Sequence, residues 1–131
     1  MANSITNAGQ TEALTGSSIV AVATKLKLYT NATTPLKDGT GFTEVANGNG
    51  YTTGGVAILP GDWTSTLDTG NVKVTLADQV WTASGGSIAN VMGAFITDAA
   101  DNPLAWWERT SVTTVASGDT VTAAGLFLKL T

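Results

Sequence analysis

Cysteine and histidine are both missing from this chain of 131 residues. Without cysteine there is no disulfide framework, and the sequence carries no mark of a redox compartment. Without either residue, Ser-His and Cys-His nucleophile pairs are excluded, as is every zinc site built on nitrogen or sulfur ligands. Charge is scarce as well: six basic and ten acidic residues make up 12% of the chain and leave a net charge of −4. The basic residues are scattered. Lys25 and Lys27 are the closest pair and read as the polar face of a strand, so no nucleic-acid partner is expected. No run of about 18 apolar residues occurs, which argues against a membrane-spanning helix and a membrane partner. The opening MANSITNAGQ has neither the basic start nor the apolar core of a signal peptide, so no leader is expected.

Gly (15) and Thr (23) are plentiful. They suit many turns and many strands, and the expected fold class is all-β. The length fits one domain that buries roughly two-thirds of the surface exposed by its unfolded chain. A mean hydropathy of +0.16 with so few charges points to hidden surface, either self-association or a partner.

The most informative stretch runs from Asn90 to Thr110, NVMGAFITDAADNPLAWWERT. It reads as two strands joined by the turn-forming segment 98–103, where Asp and Asn bond their own backbone and Pro103 fixes φ. Met92, Ala94 and Ile96 alternate with Gly93, Phe95 and Thr97. On the return arm Leu104, Trp106 and Glu108 alternate with Ala105, Trp107 and Arg109. Adjacent Trp residues on a period-2 element point to opposite faces. One face is core; the other needs a second layer or another molecule to cover it.

Elsewhere the pattern predicts an N-terminal arm or short helix over residues 1–17. Asn7 is its expected N-cap, Gln10 its capping-box partner, and Gly16 its end. A single β-sandwich domain is expected over 18–131. Its strands begin with Ser18 to Thr30, where Val20, Val22, Leu26 and Leu28 share a face. A loop rich in Asp38-Gly39 and Gly41 turns follows, then Thr43-Glu44-Val45, the Asn47-Gly48-Asn49-Gly50 reversal, and a strand from Tyr51 to Leu59. Pro60-Gly61 breaks the chain before Trp63. Asn71 to Leu76 places Val72, Val74 and Leu76 inward, and Val80-Trp81-Thr82 extends or restarts that strand. Ser111–Val115 and Gly125–Thr131 close the count at about eight, spaced as in a sandwich or jelly roll, so the expected architecture is an antiparallel, jelly-roll-like β-sandwich.

Several of these pieces together resemble a family of small virion proteins of tailed phages, of the head-decoration and tail-fibre-like kind. They are TNAGQTEAL, LKLYT, GTGFTEVANGNGY, the Trp63 segment, the AFITDAADNPLAWWE hairpin and the closing SGDTVTAAGLFLKLT. The resemblance spans nearly the whole chain, although TEALTGSS is a weakly apolar version of a helix that is often longer in related sequences. It implies a non-enzymatic β-sandwich on the capsid exterior of a virion: a decoration (cement) protein contacting the major capsid protein, with homo-oligomers, including trimers, as a natural arrangement. The alternative is a tail-fibre or tail-tip module that binds host glycan or other tail proteins.

The expected contact residues are the N-terminal segment with Leu14, and the aromatic anchors Trp63, Trp106 and Trp107, since Trp is enriched at binding hot spots. For the Trp pair the competing reading is core packing, one ring on each side. Asp38 with Glu44, and Asp98 with Asp101 and Asn102, are loose carboxylate clusters. Neither has calcium-loop spacing, and no metal or cofactor is expected. Glu44 reads as a solvated turn carboxylate. Glycoside hydrolysis needs two facing carboxylates, and no spacing among the ten acids singles out such a pair.

Overall fold

In the computed structural model the described residues are 3–9 and 18–129, and they form ten antiparallel strands. These are β1 (Asn3–Ile5), β2 (Lys25–Thr30), β3 (Val56–Ala57), β4 (Trp63–Asp68), β5 (Asn71–Leu76), β6 (Gln79–Thr82), β7 (Ile88–Thr97), β8 (Pro103–Val115), β9 (Thr120–Ala123) and β10 (Phe127–Lys129). They divide into a five-stranded sheet ordered β1-β8-β7-β2-β3, a three-stranded sheet β10-β5-β4, and a two-stranded pair β6-β9. All three sheets contribute to one apolar core, which makes the protein an all-β sandwich.

Cross-strand register explains which residues enter that core. Leu26 pairs with Ile96, Leu28 with Ala94, Ile96 with Ala105, and Ala94 with Trp107, so all of these share one face of the large sheet. Trp63, Leu76 and Leu128 oppose them from the three-stranded sheet, and Trp81, Val121 and Ala123 from the two-stranded one. The β6 segment does not prolong β5; it restarts the chain and pairs with β9.

Several expected elements take another form. Ser18 to Thr30 is not one strand: Ser18 caps a short helix, α1 (Ile19–Val22), by accepting from the Val20 N–H, and extended structure begins at Lys25. Helical residues begin at Asn7. The cap is therefore Thr6 rather than Asn7, its Oγ1 accepting from Gly9 N at 3.1 Å, three residues on. Residues 10–17, with Gln10, Leu14 and Gly16, lie outside the described residues. The start of the expected arm is itself a strand: β1 pairs with β8, Ile5 opposite Ala105, and Ile5 packs on the core. The strand expected over Tyr51 to Leu59 shrinks to β3, because Gly54 and Gly55 both adopt positive φ. Gly55 passes so close to β2 that a Cβ there would sit 2.0 Å from the Leu26 carbonyl oxygen.

The return arm of the central hairpin is longer than its pattern suggests. Glu108 pairs with Gly93 and Thr113 with Val91, so β8 carries extra residues between them as a bulge before continuing to Val115. Arg109 Nη2 reaches Thr113 Oγ1 across that bulge, at 3.3 Å.

Candidate interaction surfaces

The large sheet is clothed on both sides. On the face away from the core, Tyr29, Phe95 and Trp106 lie in adjacent strands, and Phe42 folds over them from the long connection after β2. Phe42 stacks on Phe95 with centroids 4.8 Å apart, and meets Tyr29 and Trp106 edge-on at 6.0 and 5.6 Å. Gly93 makes room for this layer. It pairs with Tyr29, and a Cβ on it would come within 2.6 Å of the tyrosine ring and 2.2 Å of the Trp107 carbonyl. Burial, with Glu108 adding negative charge nearby, pushes the Tyr29 hydroxyl above its ordinary range.

The adjacent Trp residues therefore do different work. Trp107 is 0% exposed in the core, and its Nε1–H donates to the Phe127 carbonyl at 2.9 Å, tying the two layers together. Expected as a partner anchor, it instead belongs to the packing of this chain, where no partner can touch it. Trp63, the second expected anchor, is 9% exposed at the head of β4 and also lies in the core cluster. Trp106 remains partly exposed in the outer aromatic layer, which makes it the member of the set available at the surface. Leu14 lies outside the described residues.

A charged strap borders the aromatic layer. Lys27 is not on a solvated face: it is 7% exposed, 3.0 Å from Asp101 Oδ1 and 3.9 Å from Glu44 Oε2, with its ammonium 5.8 Å from the Phe95 ring centroid. Lys25 contacts the same Asp101 oxygen at 2.7 Å. These hydrogen bonds, Lys25's first and then Lys27's, hold the Asp101 carboxyl below the usual range. Glu44 is likewise built in. Its Oε1 accepts from the Tyr51 hydroxyl and from Gly54 N, both at 2.7 Å, while the Tyr51 oxygen accepts from Leu28 N at 3.2 Å. Glu44 thus pins the GTGFTEVANGNGY block to β2 rather than standing free in a turn. Burial is the main cause that raises the Tyr51 hydroxyl.

The remaining carboxylates with visible partners are spent in the same way. Asp98 accepts from Ala100 N, Asn102 N and Asn102 Nδ2, Asp38 from Thr40, and Asp62 from Leu59 N. Among the described residues no group of three acidic side chains could hold a metal ion, and no helix is long and apolar enough to cross a membrane. An open cleft of about 370 Å³ lies between the Glu44 block and the start of β7, lined by Thr30, Thr43, Asn47, Asn49, Ser87 and Asn90 among others, with no aromatic ring in its wall.

Of the exposed large apolar side chains among the described residues, Leu36, Leu59, Val80 and Val112 are scattered, and Leu67 and Val72 lie together. In the β4–β5 hairpin, Trp63 pairs with Leu76, Ser65 with Val74 and Leu67 with Val72, so these residues share the core-facing side. Trp63 and Leu76 are buried, whereas Leu67 is 77% and Val72 57% exposed. Val72 was expected inward, and its direction along the strand is the expected one. The hairpin overhangs the sandwich, and nothing among the described residues covers its outer third. Compared with known proteins, the chain matches no family model, no curated protein and no solved structure.

Proposed function

We propose that this is a non-enzymatic structural protein of a phage virion, a capsid decoration protein that binds the major capsid protein on the outer shell. One observation carries the reading: the carboxylate clusters at Asp38 with Glu44 and at Asp98 with Asp101 are bound into the fold, while some apolar and aromatic side chains reach the surface. Glu44, Asp98 and Asp101 are spent on turns, a tyrosine and two lysines. Against that, Trp106, Leu67 and Val72 offer surface that gains by being covered. The resemblance of the sequence pieces to small tailed-phage virion proteins supports the same role, and a symmetric shell would present many equivalent sites, trimeric positions among them. A tail module that recognises glycan would be favoured by an exposed aromatic platform, and the cleft between the Glu44 block and β7 has no aromatic ring in its wall.

The contact reading rests on Trp106 and the overhanging hairpin rather than on the core residues Trp63 and Trp107. Cosedimentation of the purified protein with shells stripped of it tests this. Saturable binding that weakens in Trp106→Ala is the expected result. Lack of binding to shells, with selective binding to immobilised glycans, would transfer the role to the tail module. Deleting residues 1–16 is a poor test, since it removes β1 and uncovers the edge of β8.

A further inference from the structure

We infer that β4 is a self-pairing edge, through which two copies of this chain join antiparallel into one continuous six-stranded sheet. This rests on backbone hydrogen bonding rather than on the virion reading, although it engages the same β4–β5 hairpin. The argument begins with hydrogen-bond accounting. The β4–β5 hairpin closes on a two-residue turn, Thr69-Gly70, both at positive φ, so residues 68 and 71 form the first hydrogen-bonded pair. Alternation then turns the N–H and C=O of Thr66 and Thr64 toward β5, and those of Leu67 and Ser65 away from it. Trp63 N–H, also directed outward, is already taken by the Pro60 carbonyl. Among the described residues, Ser65 and Leu67 therefore present four backbone groups without a partner on an open edge, with side chains exposed.

A second β4 can satisfy all four groups in one register only. Placing Ser65 opposite Leu67 of the other copy, and the reverse, makes four hydrogen bonds about a two-fold axis at Thr66. Pairing Ser65 with itself sets Leu67 against Trp63, whose N–H is occupied; pairing Leu67 with itself sets Ser65 against the turn. The favoured register also matches side chains, because the bulky Leu67 of one copy falls beside the small Ser65 of the other. Val72 and Leu67 of one copy then lie in a row with Ser65 and Val74 of the other, and the two Leu67 side chains sit diagonally across the axis. Native edges are usually guarded by Lys, Pro or a bulge. The segment Thr64–Leu67 has none of these. Two apolar side chains and one strand edge cover less than the ~800 Å² per partner of a standard stable interface. The dimer is therefore concentration-dependent and weaker than an interface of standard size.

The absence of cysteine makes the test clean, because any introduced thiol is the sole one. Thr66→Cys places two thiols directly opposite each other at a non-hydrogen-bonded pair, at a Cα separation of about 4.5 Å that a disulfide spans. Mild oxidation should give a covalent dimer from Thr66→Cys and much less from Thr64→Cys, which faces residue 68 of the other copy. In sedimentation equilibrium of the full chain, Leu67→Lys should raise the dissociation constant at least about tenfold. Ser65→Pro removes an outward N–H without touching the β4–β5 ladder and should do the same. Circular dichroism confirms that each variant is folded, and Leu67→Lys alters a side chain already in solvent. A wild-type chain that stays monomeric to millimolar concentration overturns the proposal. So does a dimer indifferent to Leu67→Lys, or equal cross-linking at positions 64 and 66; binding of β4 only to an unrelated strand would do so too.

Discussion

Replacing each of the adjacent tryptophans by alanine should produce unequal losses, because their rings lie on opposite faces of one strand. Trp107 is fully enclosed, and a buried Trp removes roughly 200 Å² from water, worth about 5 kcal/mol at 25 cal/mol per Å². Alanine retains little of that, the cavity does not reach solvent, and the Phe127 carbonyl loses its indole donor. A loss of about 4 kcal/mol follows, a large part of the 5–15 kcal/mol typical of a whole domain. Trp106 sits in the outer layer against Phe42 and is partly exposed, so its removal opens a gap toward solvent that the covering loop can close; about 2 kcal/mol is expected. Urea titration followed by far-ultraviolet circular dichroism reads the difference. With an unchanged slope, the Trp107→Ala midpoint should lie about 1 M below that of Trp106→Ala. Equal midpoints, or a larger loss at Trp106, would refute the assignment of core and outer faces.

Three further outcomes follow from the same contacts. Gly93→Ala drives a Cβ into the Trp107 carbonyl and the Tyr29 ring, and should cost more than any surface substitution, at least about 3 kcal/mol by thermal or urea unfolding. Tyr51→Phe strands the buried Leu28 N–H and leaves Glu44 Oε1 with Gly54 N alone, for an expected loss of about 1–3 kcal/mol; unchanged stability would show that water replaces the hydroxyl. Asp101 has a folded-state pKa below its unfolded value near 3.9, so the unfolded chain binds its proton first as pH falls. Its contribution is complete above about pH 4 and is lost as pH drops through the lower folded value, so stability should fall more steeply below pH 4 in the parent than in Asp101→Asn.

The sequence made some of this legible through simple periods. Two Trp in succession on a strand had to diverge, and they do; Asp98 to Pro103 carried its turn in its own side chains, and Pro60-Gly61 broke the chain where expected. Local pattern misled where tertiary context decides. IVAV fits a strand as well as one helical turn, and the Ser18 cap tipped it to helix. Lys27 reads as solvated because it is charged, yet Asp101 and Glu44, 74 and 17 residues away in sequence, neutralise it under the aromatic layer. Val72 obeys its alternation, but alternation assigns a face and cannot say how far the opposing sheet extends. Phe42 lay in a segment read as turns, and it packs edge-on against Tyr29, whose ring occupies the space that the missing side chain of Gly93 leaves. Of the adjacent tryptophans, only the fold separates the partly exposed Trp106 from the buried Trp107.

The proposed role on a capsid is tested most directly by counting copies of this chain per purified virion, by gel densitometry against the major shell protein. A decoration protein is present in numbers comparable to the shell protein, and that is the predicted result. A handful of copies per particle, or none, would contradict it and move the protein to the tail or out of the virion.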